Sequence, residues 1–112
     1  MSKITRLERN RFSIATTDLS HCYICGGYKH DLHEVFHGRN RVNSMKYGCV
    51  IPVCRNCHNR IHHDVSKYDI TINGIKYKGI IFDTECKIKM QYIFNSTYPE
   101  VDFISIFYEN YI

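Results

Sequence analysis

The sequence lacks several features that mark whole classes of protein. It contains no tryptophan and only two prolines, and no stretch approaches the roughly 18 consecutive apolar residues of a transmembrane helix. The opening residues, MSKITRLER, are charged and lack the apolar centre of a secretory signal peptide. We therefore expect no membrane association and a reducing, cytoplasmic environment. Six cysteines in such a chain are better explained as metal ligands than as disulfides.

Length and composition predict one small globular domain, residues 1–112, and small domains often add a metal or disulfides to reach useful stability. The hydrophobic content of 44% excludes a disordered chain. Residues 1–66 carry 10 Lys and Arg against 5 Asp and Glu, whereas residues 67–112 carry 5 against 6. A basic N-terminal half is typical of nucleic-acid-binding proteins, although many soluble domains are mildly basic.

Hydrophobic periodicity and turn signals predict an α+β fold. We expect loose order in residues 1–11, a basic loop over residues 39–48, and a hairpin over residues 69–77 around Asn73 and Gly74. Short strands are predicted at residues 12–16, 31–36 and 49–53, and helices at residues 55–63, 84–95 and 101–108. The core-facing positions of the last two helices are predicted to be Ile88, Met90, Tyr92, Ile93, Phe103, Ile104 and Phe107.

Two pairs of cysteines have the spacing of zinc ligands. Each pair, Cys22 with Cys25 and Cys54 with Cys57, is separated by two residues, so both thiolates of a pair can reach one ion from a single turn. Four thiolates predict a closed, structural zinc site. The 28 residues between the pairs exceed a simple zinc ribbon, so an element containing His33 must be inserted there.

Histidines follow the second cysteine pair at helical spacing. His58 and His62 lie four residues apart and share one face of the predicted helix. The cysteine pair at its start would hold this helix beside the strand that carries His33 and Glu34. Two histidines on a helix, facing a strand with His and Glu, predict a catalytic divalent-metal site with positions left for phosphate and water.

The segment from Ser13 to His63 resembles the zinc-containing HNH endonucleases, also called the ββα-metal or His-Me finger family. It is most similar to small phage proteins related to the recombination-enhancement nuclease of temperate phages. The resemblance is carried by DLHEVFHG at residues 31–38, Asn40-Arg41, Ser44, Tyr47-Gly48, VIPVC at residues 50–54, CHN at residues 57–59 and His62. The tail at residues 102–112 is also similar, whereas residues 70–82 look like an insertion.

The resemblance implies a small ββα-metal core at about residues 13–63, with a hairpin and helices at about residues 69–112. It implies a DNA endonuclease of phage origin, acting in the host cytoplasm in recombination or DNA processing. His33 and His58 match metal-ligand positions of the family, and His62 matches a further ligand of some members. The catalytic cation would be Mg²⁺, Mn²⁺ or Zn²⁺, beside the structural Zn²⁺.

Two departures from the family leave alternatives open. Many members have a histidine, the general base, where this chain has Glu34. The catalytic set is therefore His33, Glu34 and His58, with Glu34 or His33 as the base and His37 as a third candidate. The central asparagine of the family, nine residues before His58, is replaced by Cys49, which affects the rigidity of the hairpin more than the chemistry.

The predicted partner is DNA. One site per chain predicts that a single strand is nicked, and the sequence is compatible with either a monomer or a homodimer. The basic residues around the predicted site that could neutralise phosphates are Arg39, Arg41, Lys46, Arg55 and Arg60. The alternative is a non-catalytic zinc-ribbon module that binds nucleic acid or a protein on a decayed HNH scaffold. That alternative accounts for the four cysteines but does not explain why three histidines would converge.

Overall fold

A two-stranded antiparallel sheet followed at once by a helix lies at the centre of the structure. The computed structural model describes residues 2–112. In chain order the elements are α1 (Lys3–Arg9), β1 (Asp31–Glu34), a 3-10 turn (Gly38–Asn40), α2 (Arg41–Tyr47), β2 (Val50–Val53), α3 (Arg55–His63), β3 (Tyr68–Ile72), β4 (Ile75–Ile80), α4 (Phe82–Thr97) and α5 (Phe103–Phe107). Strand β1 pairs with β2, and β3 pairs with β4, so the predicted α+β class is confirmed.

The register of the first sheet places the residues of the candidate site. His33 lies opposite Ile51, and Glu34 lies opposite Val50. All four residues of β2 are buried, which agrees with its continuous apolar run. Cys54 directly follows β2 and caps α3, since its sulfur accepts a hydrogen bond from the Cys57 N–H. The strand that faces His33 therefore leads straight into the helix of His58 and His62.

The hydrophobic core joins this first sheet to the C-terminal helices. Phe36, just after β1, packs against Phe107 with ring centroids 4.6 Å apart and against Phe103 at 5.0 Å. Phe94 of α4 is fully buried and packs against both α5 rings. Burial of each such ring stabilises the fold by roughly 1.5–3 kcal/mol. Residues 13–63 and 69–112 thus share one core cluster.

The N-terminal residues differ from two expectations. Residues 1–11 were expected to be loosely ordered, but Lys3–Arg9 is helical because the Ser2 hydroxyl caps the Thr5 N–H and Glu8 pairs with Arg41 of α2. The strand predicted at residues 12–16 is wrong. There the Ser13 hydroxyl accepts hydrogen bonds from the N–H groups of Ala15 and Thr16, which bends the chain away from an extended ladder.

The loop expected over residues 39–48 is also wrong, because most of it is a 3-10 turn and helix α2. Side chains fasten this segment to its neighbours: Ser44 bonds both backbone groups of Phe36, and Asn40 donates to the Phe107 carbonyl. Gly48 ends α2 with φ +74°, and its bare Cα lies against the Phe12 ring, so no other residue fits there without a shift.

The C-terminal half follows the sequence pattern more closely. The hairpin is confirmed, with positive φ at both Asn73 and Gly74, as a type I′ turn requires. Ile88 and Met90 are buried as expected, whereas Tyr92 and Ile93 are half-buried. Ile104 is 48% exposed, because α5 turns Phe103 and Phe107 inward on a single face. None of the helices within residues 2–112 has the length and apolar content to span a bilayer.

Candidate metal centres

The four cysteines of the predicted zinc site come together in the fold. The sulfurs of Cys22, Cys25, Cys54 and Cys57 all lie within 4.8 Å of one another. The Cys25 and Cys54 sulfurs are 3.6 Å apart, close to the roughly 3.8 Å between two ligands of a tetrahedral Zn–S site. The donor set and the geometry both fit a metal ion such as zinc, so the predicted clustering is confirmed.

Backbone hydrogen bonds favour the thiolate at one member of this cluster, Cys22. Burial raises the pKa of the Cys22 thiol, but backbone hydrogen bonds at Cys25, Cys54 and Ile24 outweigh it and bring the pKa to about 6. At Cys57 burial and the neighbouring sulfurs raise the pKa, and at Cys49, outside the cluster, burial alone raises it to about 12. A thiolate is therefore favoured at Cys22, while Cys49 is a packed apolar side chain.

The three predicted histidines form a second group of potential ligands. One ring nitrogen each of His33, His58 and His62 lies within 4.8 Å of the other two. The Nε2 atoms of His58 and His62 are 3.0 Å apart, and two nitrogens held about 2.1 Å from one ion are separated by about 3.0–3.4 Å. A strand and a helix thus aim three imidazoles at a common point.

His33 is the buried member of this group. Its side chain is 3% exposed, and its Nε2 atom is buried without a hydrogen-bond partner. Burial, together with the neighbouring histidines, lowers the pKa of His33 to about 3. A buried imidazole nitrogen that stays neutral and unpartnered fits a metal ligand. His62, by contrast, is exposed, so the group opens to solvent on the helix side.

Two carboxylates lie beside the histidines, one near His58 and one hydrogen-bonded to His37. The Asp31 carboxylate lies 3.5 Å from Nδ1 of His58, on the side of the ring away from His62. His37 hydrogen-bonds through Nε2 to the Asp83 carboxylate of α4 at 3.0 Å, and Lys87 pairs with the same carboxylate at 3.2 Å. The His37 ring lies 5.8 Å from that of His33 and 5.5 Å from that of His62 between centroids.

Glu34 lies on the other face of β1 from His33, because neighbouring residues of a strand alternate. Its carboxylate pairs with Arg11 at 2.5 Å and with Arg41 at 3.5 Å. Arg41 also pairs with Glu8. Glu34 is therefore part of a charged network that ties α1 and α2 to the sheet. It is not among the residues that converge on the histidine group.

The basic residues predicted to contact DNA are mostly engaged within the protein. Arg39 pairs with Glu109 and Arg60 pairs with Asp64, each at 3.5 Å. Arg60 also stacks over the Phe82 ring, 3.8 Å from its centroid. Arg55 contacts the His30 ring nitrogen at 2.8 Å, and Lys46 lies 5.8 Å from the Tyr47 centroid. The Arg39 side chain is 74% exposed and that of Arg60 48% exposed, so their ion pairs are weak and can be replaced by other contacts.

The sequence did not identify three of the polar residues around these groups. Asp31 lies inside the family-like segment, where the sequence assigned it no role. Only the packing of β1 against α3 places its carboxylate beside His58. Asp83 lies 46 residues after His37, and no local signal connects the two. Arg11 fell in a segment expected to be loosely ordered, yet it holds Glu34.

Comparison of the chain with protein-family models, with curated proteins and with solved structures returned no match. The similarity to HNH endonucleases therefore rests on the motif residues alone. Independent support for function has to come from the geometry of the two ligand groups.

Proposed function

We propose that the chain is a metal-dependent endonuclease that hydrolyses phosphodiester bonds in DNA. The observation that carries the proposal is the convergence of His33, His58 and His62, with the buried Nε2 of His33 left without a partner. A structural role does not account for that nitrogen, since buried polar atoms are normally paired. The HNH-like core and the phage origin belong to the same proposal.

His33, His58 and His62 would hold the divalent cation, leaving positions for a phosphate oxygen and water. The cation would supply charge neutralisation at the phosphate and stabilise the departing oxygen. Asp31 acts as a positioning residue in this arrangement. Its carboxylate faces Nδ1 of His58 and so favours the tautomer whose Nε2 is free for a ligand.

Among the three candidate bases, His37 fits the geometry best. Glu34 is held by two guanidinium groups on the far side of the strand, and His33 belongs to the ligand group. Because Nε2 of His37 donates to Asp83, its Nδ1 is left as a proton acceptor. In the proposed step Nδ1 takes a proton from a water whose oxygen attacks phosphorus. The bond to the 3′ oxygen breaks, and that oxygen takes a proton from solvent.

A plasmid-nicking assay with Mg²⁺ or Mn²⁺ tests the proposal. We expect the purified protein to relax supercoiled DNA only with the cation, and His33→Ala to abolish cleavage while keeping its zinc. His63→Ala is the matched control, because His63 lies next to the ligand group on α3 but is exposed and outside it. Absence of cation-dependent nicking by the wild-type protein would reject the nuclease and leave the non-catalytic zinc module.

The role of His37 has a separate readout. His37→Ala is expected to lower the rate about 10²-fold or more, as loss of a general base does, while leaving Mn²⁺ binding by the histidine group unchanged. Asp83→Asn keeps the shape of the side chain and is expected to cost about 10-fold, as loss of a positioning partner does. Full activity of His37→Ala would return Glu34 or His33 as the base.

A further inference from the structure

An exposed aromatic pair sits on the turn that carries the first two cysteines. The rings of His21 and Tyr28 are stacked, with centroids 5.5 Å apart and planes inclined by 27°. Tyr28 is 84% exposed, the highest value among the large apolar side chains on the surface of residues 2–112. Neither side chain contributes to the core or to either group of metal ligands.

Backbone and side-chain hydrogen bonds position the pair despite its exposure. His21 and Tyr28 form a backbone β-bridge that closes the cysteine turn, flanked by the hydrogen bond from the Lys29 N–H to the Ser20 carbonyl at 3.0 Å. The His21 ring is oriented by Asp18, whose carboxylate lies 2.9 Å from Nδ1. The Asp18 carboxylate also accepts a hydrogen bond from the Ser20 N–H. Ordering an aromatic ring in advance lowers the entropic cost of stacking on it.

Two basic residues lie near the pair, because Lys29 directly follows Tyr28 and Arg55 contacts His30, two residues after Tyr28. Lys29 is exposed and forms no ion pair within residues 2–112, and Arg55 contacts His30 at 2.8 Å. Tyr28 precedes His33 by five residues, so the two lie at most about 18 Å apart along the chain. An aromatic face beside basic side chains is the combination that binds single-stranded nucleic acid, through bases and phosphates respectively.

We propose that Tyr28, backed by His21, is a stacking platform for an unpaired DNA base within a few nucleotides of the phosphate that is cut. The proposal rests on the nuclease function for the identity of the ligand as DNA. It narrows the substrate class to DNA with an unpaired segment, such as a single strand, a gap or a flap, because a base inside a duplex has no free face. Lys29 and Arg55 would then contact the phosphates of the same strand.

Direct binding tests this without requiring cleavage. Affinity for a labelled 12-nucleotide single strand is measured by fluorescence anisotropy, with the zinc-loaded protein and no added divalent cation. Tyr28→Ala is expected to bind about 5- to 150-fold more weakly, the range of loss for one stacked base. Tyr28→Phe keeps the ring and is expected to bind as the wild type does. Tyr108→Ala is the matched control, because Tyr108 is also exposed, at 73%, but lies beyond α5.

Two further readouts separate stacking from a general loss of structure or charge. The slope of log affinity against log salt is expected to be the same for Tyr28→Ala and the wild type, since no phosphate contact is removed. An oligomer of abasic sugars is expected to bind both proteins equally weakly. Wild-type affinity in Tyr28→Ala, or no binding of the oligonucleotide by the wild type, would overturn the platform.

The outcome is distinct from that for the nuclease. If the wild type fails to nick DNA but Tyr28→Ala loses affinity for single strands, the nuclease is rejected, and Tyr28 remains a stacking site for single-stranded DNA without a nearby cleavage site. If the wild type nicks DNA, and Tyr28→Ala cuts gapped DNA at the same rate and binds it with the same affinity, the platform is rejected and the nuclease is retained.

Discussion

The cysteine group and the histidine group share helix α3 but differ in how complete they are. The cysteines supply four thiols from two turns, enough to close a tetrahedron around one ion. The histidines supply three nitrogens, one buried and one exposed, so a cation there would keep open positions. Closed sites hold a fold together, whereas open sites admit substrate. We therefore expect the first group to govern stability and the second to govern activity.

The two groups are also mechanically connected. Cys57 and His58 are consecutive residues of α3, and Cys54 joins that helix to the end of β2, whose partner strand carries His33. A metal at the cysteines would therefore fix the helix relative to the strand before any cation reaches the histidines. A metal-loaded cysteine group would thus order the residues of the histidine group, so we expect mutations in the cysteine group to have the larger effect on folding.

The largest effect is expected from Cys54→Ser, which removes a thiolate ligand from the group. Structural zinc sites in small peptides contribute about 10 kcal/mol or more, which matches or exceeds the net stability of most domains. We expect this variant to be insoluble or unfolded, as judged by circular dichroism. The wild type, purified without added metal, is expected to contain at least one zinc per chain by elemental analysis.

Cys86→Ser is the control for that change, because Cys86 is half-buried and lies outside the group. It is expected to fold and to retain zinc. A folded, zinc-free Cys54→Ser protein, or a disulfide between Cys22 and Cys25 in freshly reduced wild type, would remove the distinction between the two groups.

His62→Ala is expected to produce the opposite pattern. The side chain is exposed, so its loss should change the free energy of unfolding by no more than about 0.5 kcal/mol. Reducing three ligands to two is expected to lower nicking activity by about 10²-fold or more and to weaken Mn²⁺ binding. Chemical unfolding and the plasmid assay, performed on the same sample, measure both. A loss of stability as large as that of Cys54→Ser would contradict the division of roles.

Glu34→Gln separates structure from chemistry on strand β1. The carboxylate is paired with Arg11 and Arg41, so its loss leaves a partly buried guanidinium without its charge partner. We expect a cost of about 1–3 kcal/mol in unfolding free energy. Activity of the folded fraction should stay within about 10-fold of the wild type. A fall of 10²-fold or more without destabilisation would identify Glu34 as the base instead of His37.

Sequence reasoning succeeded where spacing alone determines contact. The cysteine pairs and the pair His58 and His62 each occupy one turn, so local geometry brings their side chains together. The position of His33 also followed, because a strand between the cysteine pairs must lie near the helix that the second pair begins. The hairpin at Asn73 and Gly74 was predictable for the same local reason.

Sequence reasoning failed where tertiary contacts override local pattern. Helix α2 has a polar, basic sequence typical of a loop, and it is stabilised by hydrogen bonds from Asn40 and Asn43 to carbonyls of α5, more than 60 residues away. The pairing of His37 with Asp83 and of Glu34 with Arg11 likewise joins distant segments. The hydrophobic periodicity of a sequence carries no information about contacts between distant segments. The neighbours of the candidate site therefore could not be assigned from residue spacing.

The smallest expected effect concerns the pH dependence of stability. Burial and the neighbouring histidines hold the pKa of His33 at about 3 in the folded chain, whereas a histidine in the unfolded chain has a pKa near 6.5. Below about pH 6.5 the unfolded state therefore binds a proton that the folded state does not, so His33 lowers stability as the pH falls towards 3. His33→Leu lacks this group. As the pH falls, the unfolding free energy of this variant should therefore decrease less steeply than that of the wild type. The two slopes should differ by up to about 1.4 kcal/mol per pH unit.

The difference between the two proteins, measured by urea unfolding between pH 7 and 5 without added divalent cation, isolates the histidine. Protonation of the zinc thiolates acts on both proteins and cancels in the comparison. His63→Leu serves as the control, because the exposed His63 should leave the slope as it is in the wild type. Parallel pH profiles for the wild type and His33→Leu would mean that His33 is protonated in the folded chain in this range. The imidazole would then be less available as a metal ligand, and the contrast between a stabilising cysteine group and a poised histidine group would weaken.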